Sequence, residues 1–313
     1  MKSSRLPGYT GNQARRYRPA WAAASLTLAL AAGACGSTTA STGGATSTSV
    51  SSATRGSGPV DVLYAGSLVA LMDNGVGPAF GSSSGYTFIG TSGDSGSLAN
   101  EIKGKVETGD VYISASAAKD ALLEGTANGN WVSWYASFAQ SPLVIGYNPK
   151  SKFAAQLASK PWYEVVDQPG FLLGRTDPAT DPKGKLSVKA LDQAATAHHQ
   201  PALAALATST SNLFAENTLV GRLQAGQLDA GFFYGVEAKA AGIPTVTLPG
   251  STLAAHYTIT VLAHAPHEAG ALAFVRYLLE PAGAAELARA GLALTRPIQV
   301  SGTPPPSLID RLY

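Results

Sequence analysis

The chain is 313 residues long, 45% hydrophobic and 13% charged, with a formal net charge of +2. Five of its 22 lysines and arginines (Lys2, Arg5, Arg15, Arg16 and Arg18) lie in the first 18 residues; the remaining 17 face 20 acidic residues, a net −3 that argues against a nucleic-acid binder. One cysteine, Cys35, excludes disulfides and thiolate metal sites from everything after it.

The basic start is followed by a small, apolar stretch from Trp21 to Ala34. At about fourteen residues it is short of the roughly twenty that a spanning helix needs, and it reads as the hydrophobic part of a secretory signal over residues 1–34. Leu30-Ala31-Ala32-Gly33-Ala34-Cys35-Gly36 resembles the lipobox of bacterial lipoproteins, with Ala32 where leucine is usual. That resemblance implies cleavage before Cys35, diacylglycerol on its sulfur, and a protein anchored to the outer face of the cell membrane. Residues 35–58, nearly all Ser, Thr, Gly and Ala, read as a flexible tether.

The folded part is expected from residue 59. Val60 to Tyr64 has strand character and runs into the turn Gly66-Ser67, with Ser67 to Met72 helical. Tyr86 to Gly90 is a second strand. It leads to Asp94-Ser95-Gly96-Ser97 and a helix with Leu98, Ile102 and Val106 on one face. Strands follow at 110–115, 143–147 and 171–174. The loop Arg175-Thr176-Asp177-Pro178-Ala179-Thr180-Asp181-Pro182-Lys183-Gly184 then opens a helix over about 186–196. Glu216 starts another helix, 231–234, 246–248 and 257–263 are strands, and two helices close the series near 268–280 and 282–290. This alternation predicts an α/β fold with a largely parallel sheet, whose ligands sit at the carboxyl ends of the strands. From spacing alone each serine in these turns reads as a helix cap; two such turns close together in an α/β sheet shift the reading toward an anion site.

Three groups of segments, in this order, resemble molybdate- and tungstate-binding proteins of ABC importers, the tungstate-type branch above all. They are Ala65-Gly66-Ser67-Leu68 with 95–102 and 109–115; Trp134-Tyr135 with 141–147 and the 174–184 loop; and 223–234. The resemblance implies a type II periplasmic-binding-protein fold, two α/β lobes with a ligand cleft between them. Lobe I would hold residues 59–140 and 250–313, and lobe II residues 141–249. It implies ligand contacts from Gly66, Ser67, Ser95 (Ser97 being the alternative), Asp181, Pro182, Lys183, Glu216 and Tyr234. Asp181 and Glu216 would act as oxygen ligands of the oxyanion's metal centre. Lys183 stands where cysteine is common. The implied protein is a monomeric carrier without a cofactor that takes up tungstate or molybdate and passes it to the permease of an ABC importer.

Two other readings compete. One is the same fold with sulfate, phosphate or a small organic acid as cargo. The other is a serine hydrolase, since Gly93-Asp94-Ser95-Gly96 copies the nucleophile string of trypsin-like proteases. There, however, histidine precedes serine along the chain, and here all five histidines follow Ser95. His198-His199 reads as a surface pair, because adjacent helical residues diverge by about 100°.

Overall fold

Among the described residues nine strands form, most of them where β-branched and aromatic residues cluster: β1 (Pro59–Ala65), β2 (Thr87–Gly93), β3 (Val111–Ser114), β4 (Trp134–Tyr147), β5 (Leu173–Gly174), β6 (Ala230–Tyr234), β7 (Thr245–Val246), β8 (Ala254–Val261) and β9 (Ala293–Gly302). The computed structural model describes residues 55–312; the signal segment, Cys35 and the tether up to residue 54 lie outside the described residues. β3 and β6 are buried along their whole length, as strands covered on both faces must be.

The strands join in the order β2-β1-β3-β8-β4-β6-β5, with β7 and β9 also paired to β4. The expectation of a largely parallel sheet is corrected here. Only β1–β2, β1–β3 and β5–β6 pair in parallel; β3–β8 and all four pairings of β4 are antiparallel. The cause lies in the route of the chain. β4 spans 14 residues, pairing with β8 and β9 through its first part and with β6 and β7 from Leu143 onward. It carries the chain out of one half of the sheet, β8 runs alongside it the other way, and neither is the product of a strand–helix–strand crossover.

Helix starts follow local chemistry. The Pro182–Ala197 helix begins four residues earlier than the apolar pattern predicts. Asp181 caps it by accepting a 2.6 Å hydrogen bond from Lys183 N, and Pro182 occupies the first turn, where an N–H would be unused. The Ser95–Lys103 helix buries Leu98, Ala99 and Ile102 against the sheet. Gly77–Ser84 is helical despite its glycines and serines, packing Phe80 edge-on to Phe274 at 5.1 Å and ending at Gly85 with φ +86°. A continuous apolar core joins the two halves, from Tyr64 and Phe80 to Trp162 and Phe232.

Candidate functional site

Parallel pairing aligns Ala65 of β1 with Gly93 of β2 and Tyr64 with Ile113 of β3, so the chain leaves all three strands at one edge. The turn with Gly66 and Ser67, the helix start at Ser95, and Ala115 therefore lie together. Opposite this edge are the Asp181 cap, the start of the Glu216–Gln224 helix, and Tyr234 at the end of β6. Ser67, Ser95, Asp181, Pro182, Lys183, Glu216 and Tyr234 are all buried.

The two sides meet through Asp94. Its carboxylate is not used to cap its own helix; Oδ1 accepts from Glu216 N at 2.7 Å and Oδ2 from Thr180 Oγ1 at 3.1 Å. Beside it, Gly96 N donates to Thr180 O at 2.8 Å, and a Cβ at position 96 would overlap that carbonyl. Oxygens of Asp94, Asp181 and Glu216 lie within 4.8 Å of one another. Ser67 Oγ is 2.9 Å from Tyr257 OH, whose ring packs edge-on to Tyr234 at 6.2 Å. Ser95 Oγ accepts from Ala115 N at 3.2 Å and is buried, whereas Ser97 is only half-buried.

Four buried oxygens in this cluster have no hydrogen-bond partner among the described residues: Asp181 Oδ2, both oxygens of Glu216, and Tyr234 OH. Lys183 Nζ is 3.3 Å from Glu216 Oε1, an ion-pair distance outside hydrogen-bond geometry, and 2.6 Å from Glu237 Oε1. Burial, then the nearby Glu216, pushes the Asp181 carboxyl well above the usual carboxylate range. Burial likewise raises Glu216 to about 7, against the opposing pull of Lys183. For Lys183 burial acts downward, but Glu237, Glu216 and Asp181 outweigh it, and the ammonium stays charged. Burial keeps Tyr234 and Tyr257 as neutral hydroxyls, able to donate. Unpaired buried polar groups cost about 1–3 kcal/mol each, so such a cluster is suited to a polyoxygen ligand that engages donors and acceptors together.

A cavity of about 290 Å³ leads to the cluster, lined by Gly66, Ser67, Ser92, Glu216, Val220 and Glu237 among others. A larger cavity, about 830 Å³, lies elsewhere, around Trp162, Tyr163, Ala194 and Pro249, and none of the predicted site residues lines it. Convergent polar groups are the better guide to the site than volume. His198 and His199 are exposed, as read from the sequence; His198 stacks on Tyr163 at 3.6 Å. A second acidic cluster, Asp61, Asp110 and His267, is spent on structure: Asp110 accepts from Asp61 N, His267 N and the His267 ring.

Sequence reasoning did not single out Asp94, Glu237 or Tyr257 as site residues. Tyr257 sits mid-strand, where an aromatic signals only packing. Glu237 carries a readable sign, lying three residues after Tyr234 at a helix start, where it accepts from Tyr234 N at 2.9 Å.

Residues 60–293 match the family of bacterial extracellular solute-binding proteins. The chain belongs to this family. Membership places the solute-binding protein outside the cytoplasm, and the relatives are binding proteins rather than enzymes. Similar proteins include a putative ABC transporter molybdenum-binding protein of Haloferax volcanii, 34% identical over 38% of this chain and 40% of the relative. Another is the molybdate/tungstate-binding protein WtpA of Pyrococcus abyssi, 28% identical over 49% of this chain and 60% of the relative. The chain thus spans 40% and 60% of the length of these two relatives. Among solved structures, the periplasmic molybdate-binding protein of Azotobacter vinelandii superposes with a TM-score of 0.58 at 18% identity, covering 76% of this chain and all of that one. The sulfate-binding protein SubI of Mycobacterium tuberculosis gives 0.59 at 16% identity, over 76% of this chain and 88% of that one. The shared two-lobed fold is therefore common to carriers whose names differ in cargo.

Proposed function

We propose that this solute-binding protein captures tungstate or molybdate between its lobes and delivers it to the permease of an ABC importer. Lobe I would comprise residues 59–140 and 250–313, and lobe II residues 141–249. The observation that carries the reading is the set of four buried oxygens on Asp181, Glu216 and Tyr234 that make no hydrogen bond among the described residues. Two carboxylates facing a dianion repel it unless they coordinate its metal or carry a proton. Tungsten and molybdenum can accept added hard oxygen ligands; the sulfur of sulfate offers no such position. Ser67, Ser95, Tyr234 and Tyr257 supply hydroxyls for the oxyanion's own oxygens. The names of the Haloferax and Pyrococcus relatives support the same cargo. A diacylglycerol on Cys35 would hold the carrier near the importer on its tether.

Titration calorimetry of the folded domain with tungstate, molybdate, sulfate and phosphate tests the reading. Saturable heat with tungstate or molybdate is expected, together with a loss on the order of tenfold to a hundredfold in affinity for Asp181→Asn and for Glu216→Gln, the worth of one bond to a charged group. No heat and no thermal shift with either metal oxyanion overturns it. Heat with sulfate or phosphate alone would assign the other cargo.

A further inference from the structure

Lys183 is buried with no exposed side-chain surface, in a site offered to an anion, and its two nitrogens do different work. The backbone N donates to Asp181 Oδ1 at 2.6 Å, which leaves Asp181 Oδ2 as the unpartnered oxygen of that carboxyl. The ammonium lies 3.3 Å from Glu216 Oε1, while Glu216 Oε2 is turned to the first serine turn, 3.1 Å from where a Gly66 Cβ would stand. The ammonium is itself pinned at 2.6 Å by Glu237 Oε1, the oxygen that also accepts from Tyr234 N. The faces of Phe233 and Tyr234 flank it at 5.7 and 5.6 Å, and burial restricts its stem to few rotamers.

We propose that Lys183 is the positioning residue of this site, selecting which oxygen of Asp181 and which oxygen of Glu216 faces the cargo and thereby favouring oxyanions with a coordinating metal over sulfate and phosphate. The inference rests on the tungstate or molybdate reading above. Its physical basis is the pairing of the ammonium. A lysine free in the site would attract any dianion through charge alone and blunt selectivity. A lysine bound to Glu237 is close to neutral as a pair, so it contributes orientation to Glu216 rather than bulk attraction. Glu237 is thus the group that converts an anion-attracting side chain into an aligning one.

The test measures the ratio of tungstate to sulfate affinity, with molybdate and phosphate in parallel, in the wild-type domain and two variants. Glu237→Gln keeps the acceptor for Tyr234 N but frees the ammonium. Lys183→Met/Glu237→Gln removes both charges of that pair together and takes from Glu216 the cation that aligns it. Circular dichroism and thermal melting confirm that each variant folds. The expected result is a ratio at least tenfold lower than wild type in Glu237→Gln, through tighter sulfate binding. In the double variant the ratio falls as far, through weaker tungstate binding. X-ray absorption at the tungsten edge reads a lost or lengthened carboxylate ligand in the double variant, which a merely structural role would not produce. A ratio within twofold of wild type in Glu237→Gln, the milder substitution, overturns the role of Lys183 whether or not the double variant folds. Absence of tungstate and molybdate binding in the wild-type domain overturns the cargo reading instead, and this proposal with it.

Discussion

Asp120 shows what burial does to a carboxyl that has no cargo to serve. It is fully buried at the end of the short Ala117–Asp120 helix. Oδ2 accepts from Thr258 Oγ1 at 2.7 Å, and Oδ1 has no partner among the described residues. Burial raises its pKa from 3.8 to about 7, with the Thr258 bond pulling the other way. The folded state thus holds this proton more tightly than the unfolded chain. The resulting stabilisation is complete below pH 3.8 and is lost as pH rises through about 7. Above that, folding must bury a charge. Asp120→Asn keeps an acceptor for Thr258 and is expected to leave the melting temperature near wild type at pH 4 and raise it at pH 8. The gain should be up to about 4 kcal/mol, the size set by a three-unit shift. Equal melting temperatures at pH 8 would contradict the assignment. Ser67, Ser95 and Glu216 were legible in the sequence as residues at helix starts; Asp181, read as a loop residue, caps a helix that begins four residues earlier than expected. Their partners were not, because Asp94 reaches 122 positions along the chain to Glu216.

At the level of elements, the starts of three helices are tied by one carboxylate. Asp94 belongs to the Ser95–Lys103 helix, Thr180 precedes the Pro182–Ala197 helix, and Glu216 opens the Glu216–Gln224 helix. Removing the carboxylate leaves Glu216 N and Thr180 Oγ1 without their acceptor and takes a negative charge away from Asp181, while breaking no hydrogen bond of Ser67, Asp181 or Tyr234. Asp94→Ala is therefore expected to speed cargo release by about tenfold, from the loss of two hydrogen bonds at about 0.5–1.5 kcal/mol each, with a smaller change in association rate. Stopped-flow displacement checks this, and an unchanged release rate would show that the bridge does not hold the bound state. Elements with a simple pattern were legible: β1, β6 and the helices Glu268–Leu279 and Pro281–Ala290 fall within a few residues of expectation. The first half of β4 was not, since Ser137, Gln140, Ser141 and Pro142 dilute its apolar alternation and a bulge separates Ser137 from Ala139. β9 was missed for a like reason: its burial alternates weakly and it contains Pro297.

For the whole molecule, the two-lobed fold was legible through the order and spacing of several weak motifs, not through any one of them. The antiparallel centre of the sheet was hidden, because strand direction depends on pairings between residues as distant as Ser114 and Thr258. The proposed membrane anchor at Cys35 makes a prediction that belongs to the full chain. In cells, Cys35→Ser is expected to move the protein from the membrane fraction to the medium while the released protein keeps its cargo affinity. Retention of the variant on membranes would mean that something other than the thiol holds it.

The contact between Gly96 and Thr180 has one more consequence. There the two sides of the site meet main chain to main chain, N–H to carbonyl, with no side chain between them to change rotamer. Their separation is set by covalent geometry and a single bond length, so the space enclosed beside it has a fixed calibre. On the proposed reading the molecule carries its own gauge block, against which a guest too large by a few tenths of an ångström would be refused.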